Sequence, residues 1–211
     1  MKVFVGMLFG LLLALLGAAV IAWTGAFNVA ASLPPGKVET KLATFALNKS
    51  IQKRAPTKRN PLSGSPDILR AGLSHYRENC VVCHGALGVD AAEFGEGLNP
   101  PAPDLTLPRV QERPDGEMFW IVSNGIRMTG MPAFSPTHKE EEIWKIVTFL
   151  RHLPELTAEE QKELKGRTEQ AQHHHEEAAS GGPSEGHKPE APTAGGKPAH
   201  THPPGTKPHK D

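Results

Sequence analysis

Apolar and polar positions divide this chain into stretches of different character. Val3 to Trp23 runs 21 residues without a charge, which as a helix spans about 31 Å, enough to cross the hydrocarbon core of a bilayer. After a connector that closes with Leu33-Pro34-Pro35-Gly36, Val38, Leu42, Phe45 and Ala46 return at near-helical spacing on a basic background. From Ser65 the pattern becomes that of amphipathic helices. Ile68, Leu69, Gly72, Leu73 and Tyr76 form one apolar face, with Ser65 as N-cap, Pro66 at the first helical position and Asp67 in the first turn. A middle helix is expected from Asp115, with Met118, Phe119, Ile121 and Val122 inward and Gly125 as the stop. The clearest repeat is Ile143, Ile146, Val147, Leu150 and Leu153, with Thr137 and Glu140 reading as its capping box and Pro154 as its end. Nothing alternates with period two for long enough to propose a sheet, so the expected fold class is all-α.

These patterns predict five segments. Residues 1–31 form a signal-anchor or transmembrane segment with the span at about 3–23, and residues 32–64 a basic, partly helical linker. Residues 65–156 are the globular part and residues 157–180 a polar helical extension, opened by Thr157 and Glu160 and peripheral because it lacks a sustained apolar face. Residues 181–211 contain no large apolar residue and are rich in His, Pro, Gly and Lys, so they are expected to be disordered. The length of the N-terminal apolar run favours a retained anchor, with Trp23 at the interface, over a cleaved signal peptide ending at Val29-Ala30-Ala31. A zero net formal charge hides an internal division: residues 32–64 carry a net +6 and residues 65–165 a net −6. The basic linker reads first as a solvated helix; its alternative is a helix lying on a membrane surface.

The candidate chemistry sits in Cys80-Val81-Val82-Cys83-His84, which holds both cysteines of the chain. A Cys-x-x-Cys-His run is an attachment signature for a c-type haem: both thiols reach the vinyl groups and the next residue places an imidazole under the iron. A redox dithiol would want a βαβ pattern around it, and a zinc site two further ligands at motif spacing; neither is visible. The sixth iron position decides between electron transfer and reaction with small molecules. Met131 stands 47 residues beyond His84 in a Gly130-Met131-Pro132 turn and is the candidate distal ligand, with Met128 its competitor and Met118 assigned to the core. His75, His138 and His152 read as surface or packing residues, each a rival ligand in principle.

A helix with Gly72 and Tyr76, then Cys80 to His84, a proline-rich loop, Gly130-Met131-Pro132 and a last helix with Trp144 resembles a class I cytochrome c over residues 65–156. The run from Pro101 to Leu105 and that from Ile126 to Phe134 are similar to bacterial membrane-anchored monohaem cytochromes. The resemblance implies one covalent haem c, His84 and Met131 as proximal and distal iron ligands, and first and last helices crossing at Gly72. It also implies a proline carbonyl accepting a hydrogen bond from the proximal histidine; Pro101 is the candidate, with Pro100 and Pro103 as rivals. Because such haem is attached outside the cytoplasmic membrane, the domain is expected in the periplasm, although a naive count of basic residues after the span points the other way. A cleaved, soluble periplasmic form is the alternative.

The expected function is a membrane-tethered carrier of single electrons between respiratory complexes, without catalysis of its own. The alternatives are the cytochrome subunit of a larger oxidase, reductase or dehydrogenase and, less favoured, a haem-based sensor. The acidic domain would suit a basic patch on a redox partner, and nucleic acid is not an expected partner. Seven of the eleven histidines lie beyond residue 166, among them His173, His174, His175, His187, His200, His202 and His209. Such a tract is a candidate for weak Cu, Ni or Zn binding.

Overall fold

A computed structural model describes residues 2–26 and 28–180 of the chain. The expected disorder of residues 181–211, and with it the proposed metal-binding role of His187, His200, His202 and His209, lies outside the described residues. Among those described, the order is α1 (Lys2–Thr24), α2 (Lys37–Arg54), α3 (Pro66–Asn79), α4 (Val81–His84), α5 (Glu93–Glu96), α6 (Pro108–Gln111), α7 (Asp115–Asn124), α8 (Glu140–His152), a 3-10 turn at Leu153–Glu155, and α9 (Ala158–Ser180). No strand occurs among them, only an isolated bridge between Ala86 and Val89. The fold is all-α, as the periodicity predicts.

Helix α1 is apolar on every side and none of it is buried, so its side chains gain nothing from the rest of the molecule. A helix of this kind suits lipid rather than water. The core lies instead where α3 and α8 cross. Leu73 and Tyr76 from α3 meet Ile143, Ile146, Val147 and Phe149 from α8, the last four almost wholly excluded from solvent. The crossing is close because Gly72 has no side chain: a Cβ there would stand 2.4 Å from the Lys145 carbonyl oxygen and 2.6 Å from Phe149 Cβ. Helix α7 closes one side through Met118 and Val122, with the Phe119 ring stacked on Trp144 at 4.2 Å.

Three sequence expectations are revised here. The N-cap of α8 is Lys139, whose N–H donates to Glu142 at 2.6 Å, and Thr137 instead bonds the Phe134 carbonyl and His138. The helix therefore starts after the predicted capping box, because the turn at Phe134 uses the Thr137 hydroxyl first. The Thr157–Glu160 box of α9 does form, with Thr157 N–H donating to Glu160 at 2.8 Å and the Glu160 N–H to the Thr157 hydroxyl at 3.3 Å. Yet α9 is not peripheral at its start: Leu164 is fully buried, Thr168 nearly so, and Arg77 of α3 pairs with Glu163. Two or three inward residues suffice to dock one end of a helix, too few to register as a sustained apolar face. The linker is likewise part of the packed body at its C-terminal end. Ile51 is 1 % exposed, Arg113 donates to Asn48 at 2.8 Å, and Asn60 donates through its side chain to the Trp144 carbonyl and the Thr148 hydroxyl.

Asp115 joins these elements. It accepts from the Asn60 N–H at 3.0 Å and pairs with Arg151 at 2.7 Å, while Arg151 also donates to the Gln111 and Arg113 carbonyls. Burial raises the Asp115 carboxyl pKa, but the Asn60 and Arg151 bonds outweigh it and hold it below the ordinary carboxylate range. A carboxyl depressed in the fold stabilises above its unfolded pKa, about 3.9, and that contribution fades as pH falls through the lower folded value. Asp115→Asn should therefore cost on the order of 1 kcal/mol at pH 7, with the gap from wild type closing below about pH 3. Denaturant midpoints of the two proteins across that range check it; a gap that stays constant would contradict it.

Candidate functional site

The attachment run occupies the join between α3 and α4. Cys80 ends α3, and its carbonyl accepts from the N–H groups of Cys83, at 3.1 Å, and His84, at 2.9 Å. The two thiols are therefore one helical turn apart and the imidazole follows directly. Val81 between them is fully buried and anchors the turn in the core. Tyr76, also fully buried, donates its hydroxyl to the Gly85 carbonyl at 2.6 Å and so fixes where the turn ends. Its phenol pKa is pushed well up by burial, then by the nearby Cys80 and Asp104, so it remains a donor at any working pH.

The chain following His84 folds back over this turn. Ala92 N–H donates to the Val82 carbonyl at 2.9 Å, and α5 comes so near that a Cβ on Gly95 would lie 2.6 Å from the Val82 oxygen and 2.8 Å from Cys83 Cα. Farther on, the proline-rich loop brings the Pro103 carbonyl to 2.9 Å from His84 Nδ1. A carbonyl can only accept, so Nδ1 carries the proton and the other ring nitrogen keeps its lone pair. Burial lowers the imidazole pKa, the Pro103 bond partly opposing it, and the neutral ring is favoured. The predicted partner was Pro101. That residue is exposed and makes no bond to His84; the rival two residues on takes the place because the loop turns toward the ring at Pro103, where Asp104 closes an Asx turn on Thr106.

The environment of the thiols is not that of a redox dithiol. Burial, and then the neighbouring Cys83, push the Cys80 thiol up to about 12, and burial also raises Cys83. A nucleophilic dithiol needs the opposite shift. No group of three His, Cys, Asp or Glu side chains that could hold a metal ion is found among the described residues. Paired thiols on one turn, followed by a neutral imidazole whose tautomer the Pro103 bond sets, fit a covalently attached haem.

The opposite ligand candidate lies in the loop after α7. Ile126 N–H donates to the Met131 carbonyl at 3.2 Å, the Thr129 hydroxyl donates to the Ile126 carbonyl, and the Met131 N–H donates to that hydroxyl. Phe134 and Ser135 N–H groups return to the Val122 and Ser123 carbonyls, tying the loop to the end of α7. This closed turn leaves Met131 half-buried against the same core that Cys80 and Val82 flank. Met128 is 90 % exposed at φ 62° on the outside of the turn, and Met118 is a core residue. The rival histidines are engaged elsewhere: His75 packs on His138 with ring centroids 5.2 Å apart, and His152 bonds Glu160. The sequence pattern does not reveal the close approach at Gly95, the Tyr76–Gly85 bond or the Asn60 strap; only the first has a signal, a glycine within the proline-rich loop.

Residues 67–150 match the family described as cytochrome c oxidase, cbb3-type, subunit III. An alignment 127 positions long, which covers 56 % of the chain, is 26 % identical to quinohemoprotein alcohol dehydrogenase ADH IIB of Pseudomonas putida and covers 17 % of that protein's length. The chain thus corresponds to a small part of that relative.

Proposed function

We propose that this chain, which carries a class I c-type cytochrome domain with covalently bound haem c, is a membrane-tethered carrier of single electrons between proteins of a respiratory chain. The haem supplies one-electron redox chemistry at its iron. The chain's residues supply the rest. Cys80 and Cys83 hold the group by thioethers, and His84 presents a neutral ring nitrogen oriented by Pro103. Met131 offers a thioether from a hydrogen-bonded turn, and Val81 and Tyr76 root the attachment turn in the core. The observation that carries this reading is the His84–Pro103 bond, because it directs the free nitrogen while the closed Met131 turn provides a soft second donor. His84 and Met131 would fill both axial positions with protein donors, which would leave the bound haem suited to outer-sphere electron exchange. Helix α1 would anchor the domain on the periplasmic side of the cytoplasmic membrane.

The family match favours a second reading, in which this chain is the cytochrome subunit of a larger oxidase or dehydrogenase. The site works in the same way there, and co-purification with a large membrane complex in mild detergent separates the two. A closed iron is tested with carbon monoxide. The reduced protein should keep its optical spectrum under CO; a shifted spectrum at low CO concentration would indicate a labile sixth position and overturn the carrier reading in favour of a sensor.

A further inference from the structure

Helix α2 leaves uncovered the face opposite the one it docks with. Its docked side is defined by Ile51, by Asn48 bonded to Arg113, and by half-buried Leu47. Val38, Leu42 and Phe45, spaced i, i+4 and i+7, share the other side of the helix and are 71, 65 and 63 % exposed. Lys49 continues this stripe, its Nζ 5.9 Å from the Phe45 ring centre. Lys37, Lys41 and Lys53 belong to the same helix, and its one acid, Glu39, is spent on accepting from the Gly36 N–H. A contiguous apolar stripe rimmed by cations marks a contact surface rather than a solvated linker.

Its place in the chain says what it meets. Helix α1 ends at Thr24 and α2 starts at Lys37, so the connector between them reaches at most about 43 Å when fully extended. It is shorter than that, since the Leu33 N–H turns back to the Ala30 carbonyl and the Asn99 amide holds both the Ala31 and Leu33 carbonyls at 2.7 Å. If α1 spans a bilayer, α2 stays beside that bilayer. Helices with an apolar stripe between lysines lie in the interfacial plane, and their cations are drawn to anionic headgroups.

We propose that α2 lies on the membrane surface, with Val38, Leu42 and Phe45 inserted among anionic phospholipids and its lysines against their phosphates. Because Ile51, Asn48 and Asn60 bolt the other side of this segment to the haem domain, the domain is held in one attitude to the bilayer instead of swinging on a tether. The proposal rests on the reading of α1 as a retained anchor.

The test uses full-length holoprotein in vesicles of phosphatidylethanolamine and phosphatidylglycerol, labelled with an environment-sensitive fluorophore at Phe45→Cys or, on the flank away from the stripe, at Ala43→Cys. The native thiols are occupied by haem and do not compete. The label at 45 should shift to the blue and be quenched by doxyl lipids, the one at 43 should not, and Lys41→Gln should weaken the apposition about fivefold. Resistance to carbonate extraction reports on α1 separately. A label at 45 that stays aqueous while α1 resists extraction overturns the proposal, as does crosslinking from position 45 to a protein, this chain's second copy included. Extraction by carbonate would instead overturn the anchor.

Discussion

Gly72→Val should prevent the haem domain from accumulating in folded form. The position lies at the crossing of α3 and α8, where even a methyl group would meet the Lys145 carbonyl at 2.4 Å and Phe149 Cβ at 2.6 Å. Neither neighbour can yield cheaply. The first is helix backbone, and the second starts a side chain that is fully buried. Relief requires the helices to separate, which opens the contacts of Tyr76, Ile146 and Val147 together. Overpacking of about one methyl group costs about 1–3 kcal/mol; valine adds two more carbons against a total stability of only about 5–15 kcal/mol. Gly72→Ala should lower the denaturant midpoint clearly and Gly72→Val should abolish recovery of haem-containing protein. A valine variant with a wild-type midpoint would show that the crossing is looser than described.

Met131→Ala should lower the reduction potential on the order of 100 mV or more, since axial ligands set the potential of haem proteins over a range of about 0.8 V. A thioether favours ferrous iron more than water or a nitrogen base does, so its loss moves the couple toward reduction at more negative potential. Met128→Ala is the matched comparison, being exposed on the outside of the same turn. Its potential should stay near that of wild type. A potentiometric titration of the three proteins reads both, and an unchanged potential in Met131→Ala would remove that residue from the site.

The helices around the site were legible because their apolar faces repeat at helical spacing over several turns, as in Ile143 to Leu153. The attachment turn was legible because its chemistry requires adjacent residue types. What remained hidden was settled by tertiary contact. Pro101 and Pro103 are the same residue type two positions apart, and only the path of the loop brings the second to His84. Thr137 looked like a cap until the turn at Phe134 claimed its hydroxyl. Leu164 is the one large apolar residue among the buried positions of an otherwise polar helix, and a single such residue is too little for periodicity to register. Asn60 lies in a stretch with no pattern, yet its amide joins the linker to α8.

The central claim is an iron closed by His84 and Met131. The near-infrared absorption of the oxidised protein tests it most directly, since methionine bound to ferric haem gives a weak charge-transfer band in that region. The account predicts this band in wild type and in Met128→Ala, and its disappearance in Met131→Ala. A wild-type protein without the band, or a band that survives in Met131→Ala, would contradict it.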